Sequence, residues 1–175
     1  MADISISKFK SQLPGGGARS NLFEAIITFP AVATNSAAQG AAPFLIKTAA
    51  LPASVIANIE VNYRGRKLQL AGDRTFEPWT ITVINDTDFL IRNAFENWSN
   101  KINDFVSNTG EPDWTRYVAD MQISQLDRKG DKVKTYLIQE CWPTNISAID
   151  VGNDNENTIE EFTVELQMLQ FRPLD

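Results

Sequence analysis

The sequence predicts a mainly β fold of the α+β kind, an antiparallel β-sandwich or barrel-like domain carrying one flanking α-helix. Three observations lead there. Trp79-Thr80-Ile81-Thr82-Val83 and Phe162 to Met168 alternate apolar with polar residues, the period of a half-buried strand. β-Branched and aromatic runs recur between Pro, Gly and Asp punctuation along most of the chain. One stretch alone changes period: Ile91, Phe95, Trp98, Ile102 and Phe105 follow at steps of four and three, a single helical stripe.

Taken in order, residues 1–19 read as a flexible arm, because three glycines after Pro14 hold no regular structure cheaply. Ile4, Ile6 and Phe9 give that arm apolar side chains for docking on a neighbour. Residues 20–175 form the β domain. Asn21 to Phe29 is a first strand, stopped by Pro30, and Ala31 to Ala42 a loop of small residues. Phe44 to Ala49 and Val55 to Tyr63 are strands, with Ile59 and Val61 on one face. Arg64-Gly65-Arg66-Lys67 is a basic turn, and strand resumes at Leu68-Gln69-Leu70 before Ala71-Gly72-Asp73. Trp79 begins the alternating strand. The helix follows, with Asp86 or Thr87 as N-cap and Asn108-Thr109-Gly110 as its end. Val118 to Leu126 and Lys132 to Trp142 flank the turn Asp127–Asp131, and Ile159 to Leu169 is the last strand. The core is expected to gather Trp79, Ile91, Phe95, Trp98, Ile102, Phe105 and Trp142.

Composition narrows the function. The chain has 175 residues, 43% of them hydrophobic, enough for one core without staples. It contains no histidine, which removes Ser-His-Asp and Cys-His catalysis and the commonest zinc ligand. Cys141 is the single cysteine, so neither a disulfide within the chain nor a Cys-x-x-Cys site is available. The glycine run lacks the Gly-Lys-Ser/Thr of a phosphate loop. Asp150, Asp154, Glu156, Glu160 and Glu161 do not follow calcium-loop spacing and read as a solvated acidic turn. These absences point away from an enzyme, with no cofactor and no metal expected. No apolar run approaches the roughly 20 residues of a membrane span, and the N-terminus lacks the pattern of a secretory signal. A net charge of −6 argues against gripping nucleic acid.

Ala50-Leu51-Pro52-Ala53, Asn62 to Lys67, and above all Ala71-Gly72-Asp73-Arg74-Thr75-Phe76-Glu77-Pro78-Trp79 through Asp86 resemble the tail tube proteins of contractile-tailed bacteriophages. The later Trp142-Pro143-Thr144-Asn145-Ile146 fits the same family, and the resemblance spans about residues 20–170. It implies a virion protein, assembled in the host cytoplasm, whose subunits close into hexameric rings and pool strands into an inner β-barrel. Stacked rings would make a hollow tube that conducts DNA. Its implied partners are further copies of itself, the tail sheath, a baseplate tube initiator, a tail terminator, a tape measure protein in the lumen, and DNA in transit. A tube-initiator paralogue, or the tube of a bacterial contractile injection system, would carry the same pattern. On this reading Ile4, Ile6, Phe9, Arg64, Arg66, Lys67, Asp73 and Arg74 are candidates for ring stacking. Glu60, Glu77, Glu165 and Gln167 are candidates for an acidic or polar lumen lining that repels phosphate.

Overall fold

A computed structural model of the chain describes residues 5–174. Two antiparallel layers share one long strand. The first contains β1 (Phe23–Ile26), β6 (Ala119–Leu126), the start of β7 (Lys132–Ile146) and β9 (Gln170–Pro173). The second contains β2 (Ile46–Ala49), β5 (Trp79–Ile84), β8 (Glu161–Gln167) and the end of β7. β7 changes layer near Glu140, whose φ of 55° is the left-handed kink expected where a strand leaves one sheet for another. The alternation seen in the sequence sets which face is inward. Trp79, Ile81 and Val83 of β5 and Phe162, Val164 and Leu166 of β8 are buried, and their register pairs Trp79 with Leu166 and Val83 with Phe162.

The core is closed by two helices where the sequence predicts one. α2 (Ser36–Leu45) occupies most of the stretch expected to be a small-residue loop. Alanine has the highest helix propensity of any residue, and the Asn35 side chain accepts a hydrogen bond from the Ala38 N–H at 3.0 Å, which starts the helix. Ala38 and Ala42, four apart, are fully buried and small enough to let α2 lie close against α3 (Leu90–Ile102). The second strand therefore starts at Ile46, not at Phe44.

α3 carries the predicted stripe, with Ile91, Phe95 and Trp98 buried and Ile102 partly buried against the same core. Phe29, Phe95 and Trp98 pack ring on ring at 5.2 to 6.1 Å, and the Trp98 indole donates to the Tyr117 carbonyl at 2.7 Å. The N-cap position falls on Phe89, in left-handed backbone, and not on Asp86 or Thr87 as expected; the Asp86 carboxylate still reaches the first turn, accepting from the Leu90 N–H at 2.9 Å. The far end departs from expectation. The helix stops at Ile102, and Asn103 is extended. Asp104 then accepts hydrogen bonds from the Val106 and Ser107 amides and the Ser107 hydroxyl, a local turn that outcompetes further helix. Phe105 consequently leaves the stripe and is 79% exposed, so it is not a core residue. Trp79 is buried, and Trp142 is half-buried against the core.

The arm is not featureless. α1 (Ile6–Ser11) is a helix of less than two turns, begun by Ser5, and none of its residues is buried. Gly15, Gly16 and Gly17 follow with φ between 70° and 82°. The strand β9, absent from the sequence-based expectation, adds to the edge of β7.

Cys141 lies at 0% exposure in the core, where burial, with the Asp120 charge adding, pushes its thiol from 9.0 up to about 12. The thiol is a small hydrophobe, not a nucleophile. Between these two values the unfolded chain releases the proton and the folded chain keeps it. Stability therefore falls as pH rises through that window, by about 1.4 kcal/mol per pH unit at most. We expect the stability of the wild-type domain relative to Cys141→Ala to be constant below about pH 8 and to drop above it. Parallel profiles through alkaline denaturation would contradict this.

Candidate assembly surfaces

β3 (Ser54–Tyr63) and β4 (Arg66–Phe76) pair only with each other and form a sheet separate from the sandwich. The turn between them has φ of 47° at Arg64 and 79° at Gly65, the conformation that two-residue hairpins favour. β4 runs beyond the expected break at Ala71-Gly72-Asp73 to Phe76. It does so through a register shift between Ile56 and Asn58, where Gly72 passes close to the β3 backbone. A Cβ at Gly72 would lie 2.9 Å from the Ala57 carbonyl, so glycine is required there.

The hairpin is amphipathic. Ile59, Val61 and Tyr63 pair with Leu70, Leu68 and Arg66, which places an apolar row on one face. The other face carries Asn58, Glu60, Asn62, Lys67 and Gln69. There Lys67 meets Glu60 at 2.8 Å, Gln69 donates to Glu60 at 3.1 Å, and Asn58 donates to Gln69. Lys67 first, then Gln69, hold the Glu60 carboxyl below its ordinary range. Neither face is covered: Ile59 is 50% and Tyr63 66% exposed. Only the base is anchored, by Phe76 edge-on to Phe171 at 5.5 Å and by Phe171 edge-on to Tyr136 at 5.9 Å. A free two-stranded ribbon is marginally stable in water at best. A long apolar row on such a ribbon marks a surface built to be covered by another chain.

A family model described as phage tail tube protein matches residues 18–172. The chain belongs to the phage tail tube protein family. It is 33% identical over 159 residues to tail tube protein gp19 of Enterobacteria phage T4, covering 88% of this chain and 90% of that one. Among solved structures, a chain of the anti-feeding prophage baseplate matches with a TM-score of 0.63 at 15% identity, covering 90% of this chain and 95% of the other. A chain of the sheath–tube complex of an extracellular contractile injection system, in its extended state, matches with a TM-score of 0.58 at 15% identity and 98% coverage of both. At that identity the two structures establish the fold.

In this tail tube chain the residues singled out from sequence fall at several places. Arg64, Arg66 and Lys67 are together at the hairpin tip, whereas Asp73 and Arg74 lie near its base, about 25 Å away along the strand. Arg74 is held there by a hydrogen bond to the Ser54 hydroxyl at 3.1 Å. Ile6 and Phe9 are exposed on one side of α1; Ile4 lies outside the described residues. Glu60 shares a face with Lys67, so a lumen candidate and a stacking candidate are ion-paired on one surface. Glu77 is at the hairpin base, its N–H donating to the Ala53 carbonyl. Glu165 and Gln167 are on β8 with Thr163, on the layer face opposite the core. The sequence reading placed no role on Leu68 and Leu70, although their cross-strand match to Val61 and Ile59 was the available signal. It also assigned none to Val106, which stands beside Phe105 at 95% exposure.

Proposed function

We propose that this tail tube protein closes into six-membered rings that stack into a hollow tube conducting DNA, with its β3–β4 hairpin contributing strands to a shared inner barrel. The observation that carries this reading is the exposed hairpin, whose apolar row needs a neighbour and whose opposite face is polar. Covering Ile59, Val61, Leu68 and Leu70 with a second copy would leave Asn58, Glu60, Asn62 and Gln69 toward the channel. An acidic to neutral wall suits a polyanion in transit, because clustered cations would hold phosphate. The outer edges of β1 and β2 offer unpaired backbone for ring closure by head-to-tail contacts.

The role is structural, without chemistry, cofactor or metal. The sheath would surround the tube, and the baseplate initiator and tail terminator would bound it. A tape measure protein would fill the lumen before DNA. The exposed arm fits a contact between subunits, through Ile4, Ile6 and Phe9. Deleting residues 1–19 is expected to weaken polymerisation, seen by sedimentation, while the melting temperature of the monomer stays unchanged. Unaltered polymerisation would remove the arm from the interface. Negative-stain electron microscopy of the purified protein tests the whole reading: six-membered rings or hollow tubes are expected. A particle that stays monomeric even after adding preformed baseplates would overturn it.

A further inference from the structure

The tail tube chain presents opposite charge at its two ends. The hairpin leaves the domain at the Trp79 end of β5, where the Glu77 N–H meets the Ala53 carbonyl and the Trp79 indole donates to the Ala50 carbonyl. Its turn, residues 63–67, holds Arg64, Arg66 and Lys67 and no carboxylate. The Arg64 guanidinium lies 5.3 Å from the Tyr63 ring centroid, so the tip is at once cationic and aromatic. The connection between β7 and β8 lies at the other end of β5, where Ile84 pairs with Glu161 and the Asn85 N–H donates to the Glu160 carbonyl at 2.8 Å. Residues 148–161 carry Asp150, Asp154, Glu156, Glu160 and Glu161 and neither Lys nor Arg. Glu161 is taken by Lys47 at 2.6 Å and Glu160 by the Asn85 amide at 2.9 Å. Asp150, Asp154 and Glu156 have no ion pair among the described residues.

The acidic connection also encloses a groove of ≈ 560 Å³ lined by Ile149, Asp150, Val151, Asn155, Ile159 and Glu160. Val151 and Ile159 are exposed there beside Asp150, and Asp154 and Glu156 lie on the same connection. Such a groove matches an aromatic, cationic tip in both polarity and charge. Within one chain the two cannot meet, since the length of β5 separates the ends from which they project. We propose that the hairpin tip of one copy seats in the β7–β8 groove of a second copy, with Arg64 and Arg66 against Asp150 and Asp154, so that copies join head to tail. This contact rests on the tube reading and names the surface that receives the tip. A heterologous contact that joins opposite ends of the domain propagates along an axis, as stacking requires, whereas the head-to-tail contacts of the β1 and β2 edges would close the ring. Opposed charges would also fix polarity, because tip-to-tip and groove-to-groove encounters repel.

Complementary charge reversal tests it. One variant carries Arg64→Glu and Arg66→Glu, a second carries Asp150→Lys and Asp154→Lys, and all four sites are exposed, so folding is expected to be unchanged by circular dichroism. Each variant alone should assemble about ten-fold less than wild type at equal concentration, read by sedimentation and microscopy. Mixed in equal amounts, they should regain assembly, as alternating copies present matched partners on both sides. A mixture that remains unassembled, or single variants that polymerise like wild type, overturns the contact while leaving the tube reading intact if wild type forms tubes. A wild-type protein that never assembles overturns both. Unchanged assembly with loss of duplex DNA retention by the tip variant alone would assign the tip to nucleic acid instead and overturn the proposal.

Discussion

Trp98→Ala is expected to lower the unfolding free energy of the tail tube domain by about 3–5 kcal/mol. Trp98 has no exposed surface, and its ring is packed by Phe95 and Phe29. Truncation removes a large apolar surface and leaves a void in the core beside Phe29 and Phe95. It also orphans the Tyr117 carbonyl, which accepts from the indole and is set by the single turn α4 (Trp114–Tyr117). The loss is a large fraction of the roughly 5–15 kcal/mol that stabilises an ordinary domain. Trp98→Phe should recover the packing but not the hydrogen bond, leaving a deficit of about 1 kcal/mol. Urea denaturation of the unassembled protein measures both. A Trp98→Ala midpoint close to wild type would mean that α3 does not close the core.

The second large effect is on assembly and leaves the fold alone. Replacing Ile59, Val61 and Leu68 together by threonine keeps β-propensity while removing most of the apolar row. Each side chain forfeits about 1 kcal/mol of burial if a neighbour covers it, so association should weaken about a hundred-fold. The hairpin stands apart from the sandwich, and the melting temperature of the monomer should therefore hold. Sedimentation velocity across a concentration series reads the first quantity and calorimetry the second. Wild-type assembly by the triple variant would show that the row is not an interface.

These two predictions fall on parts of the fold that the sequence exposed unequally. The inward faces of β5 and β8 and the stripe on α3 were legible because a two-residue or 3.6-residue period survives in the side chains. That Asp86 would serve the start of α3 was legible because its chemistry is local, although the N-cap itself falls on Phe89, whose left-handed backbone no local pattern announces. α2 was missed for the opposite reason: its buried positions, Ala38 and Ala42, are small residues among other small residues and leave no apolar stripe, while Pro43 and the large, exposed Phe44 read as the start of a strand. Its helix propensity and the Asn35 cap were the signals to weigh. Phe105 continued the helical spacing but not the helix, since Asp104 and Asn103 redirect the backbone first. Periodicity reports what a helix would bury, not where the helix stops.

The assembly surfaces were legible only in part. The turn at Arg64-Gly65 and the pairing of Ile59 and Val61 on one face were visible, and the family resemblance carried the rest. That the hairpin leaves the sandwich altogether is a tertiary fact. Strands with alternating Ile, Val and Leu read equally well as core, and only the separate sheet of β3 and β4 reveals that their apolar face is uncovered. Glu60 and Lys67 carry different expected roles, one in the lumen lining and the other in ring stacking. Cross-strand pairing puts them together, because the register joins Glu60 to Gln69 and Asn62 to Lys67.

A cryo-electron microscopy reconstruction of the assembled protein tests the central claim most directly. The account predicts a closed inner barrel to which each copy contributes β3 and β4. Ile59, Val61, Leu68 and Leu70 would be covered by neighbouring copies, and Asn58, Glu60 and Gln69 would face the channel. A ring or tube in which the hairpin's apolar row stays open to solvent, or in which its strands pair with no other copy, would contradict it.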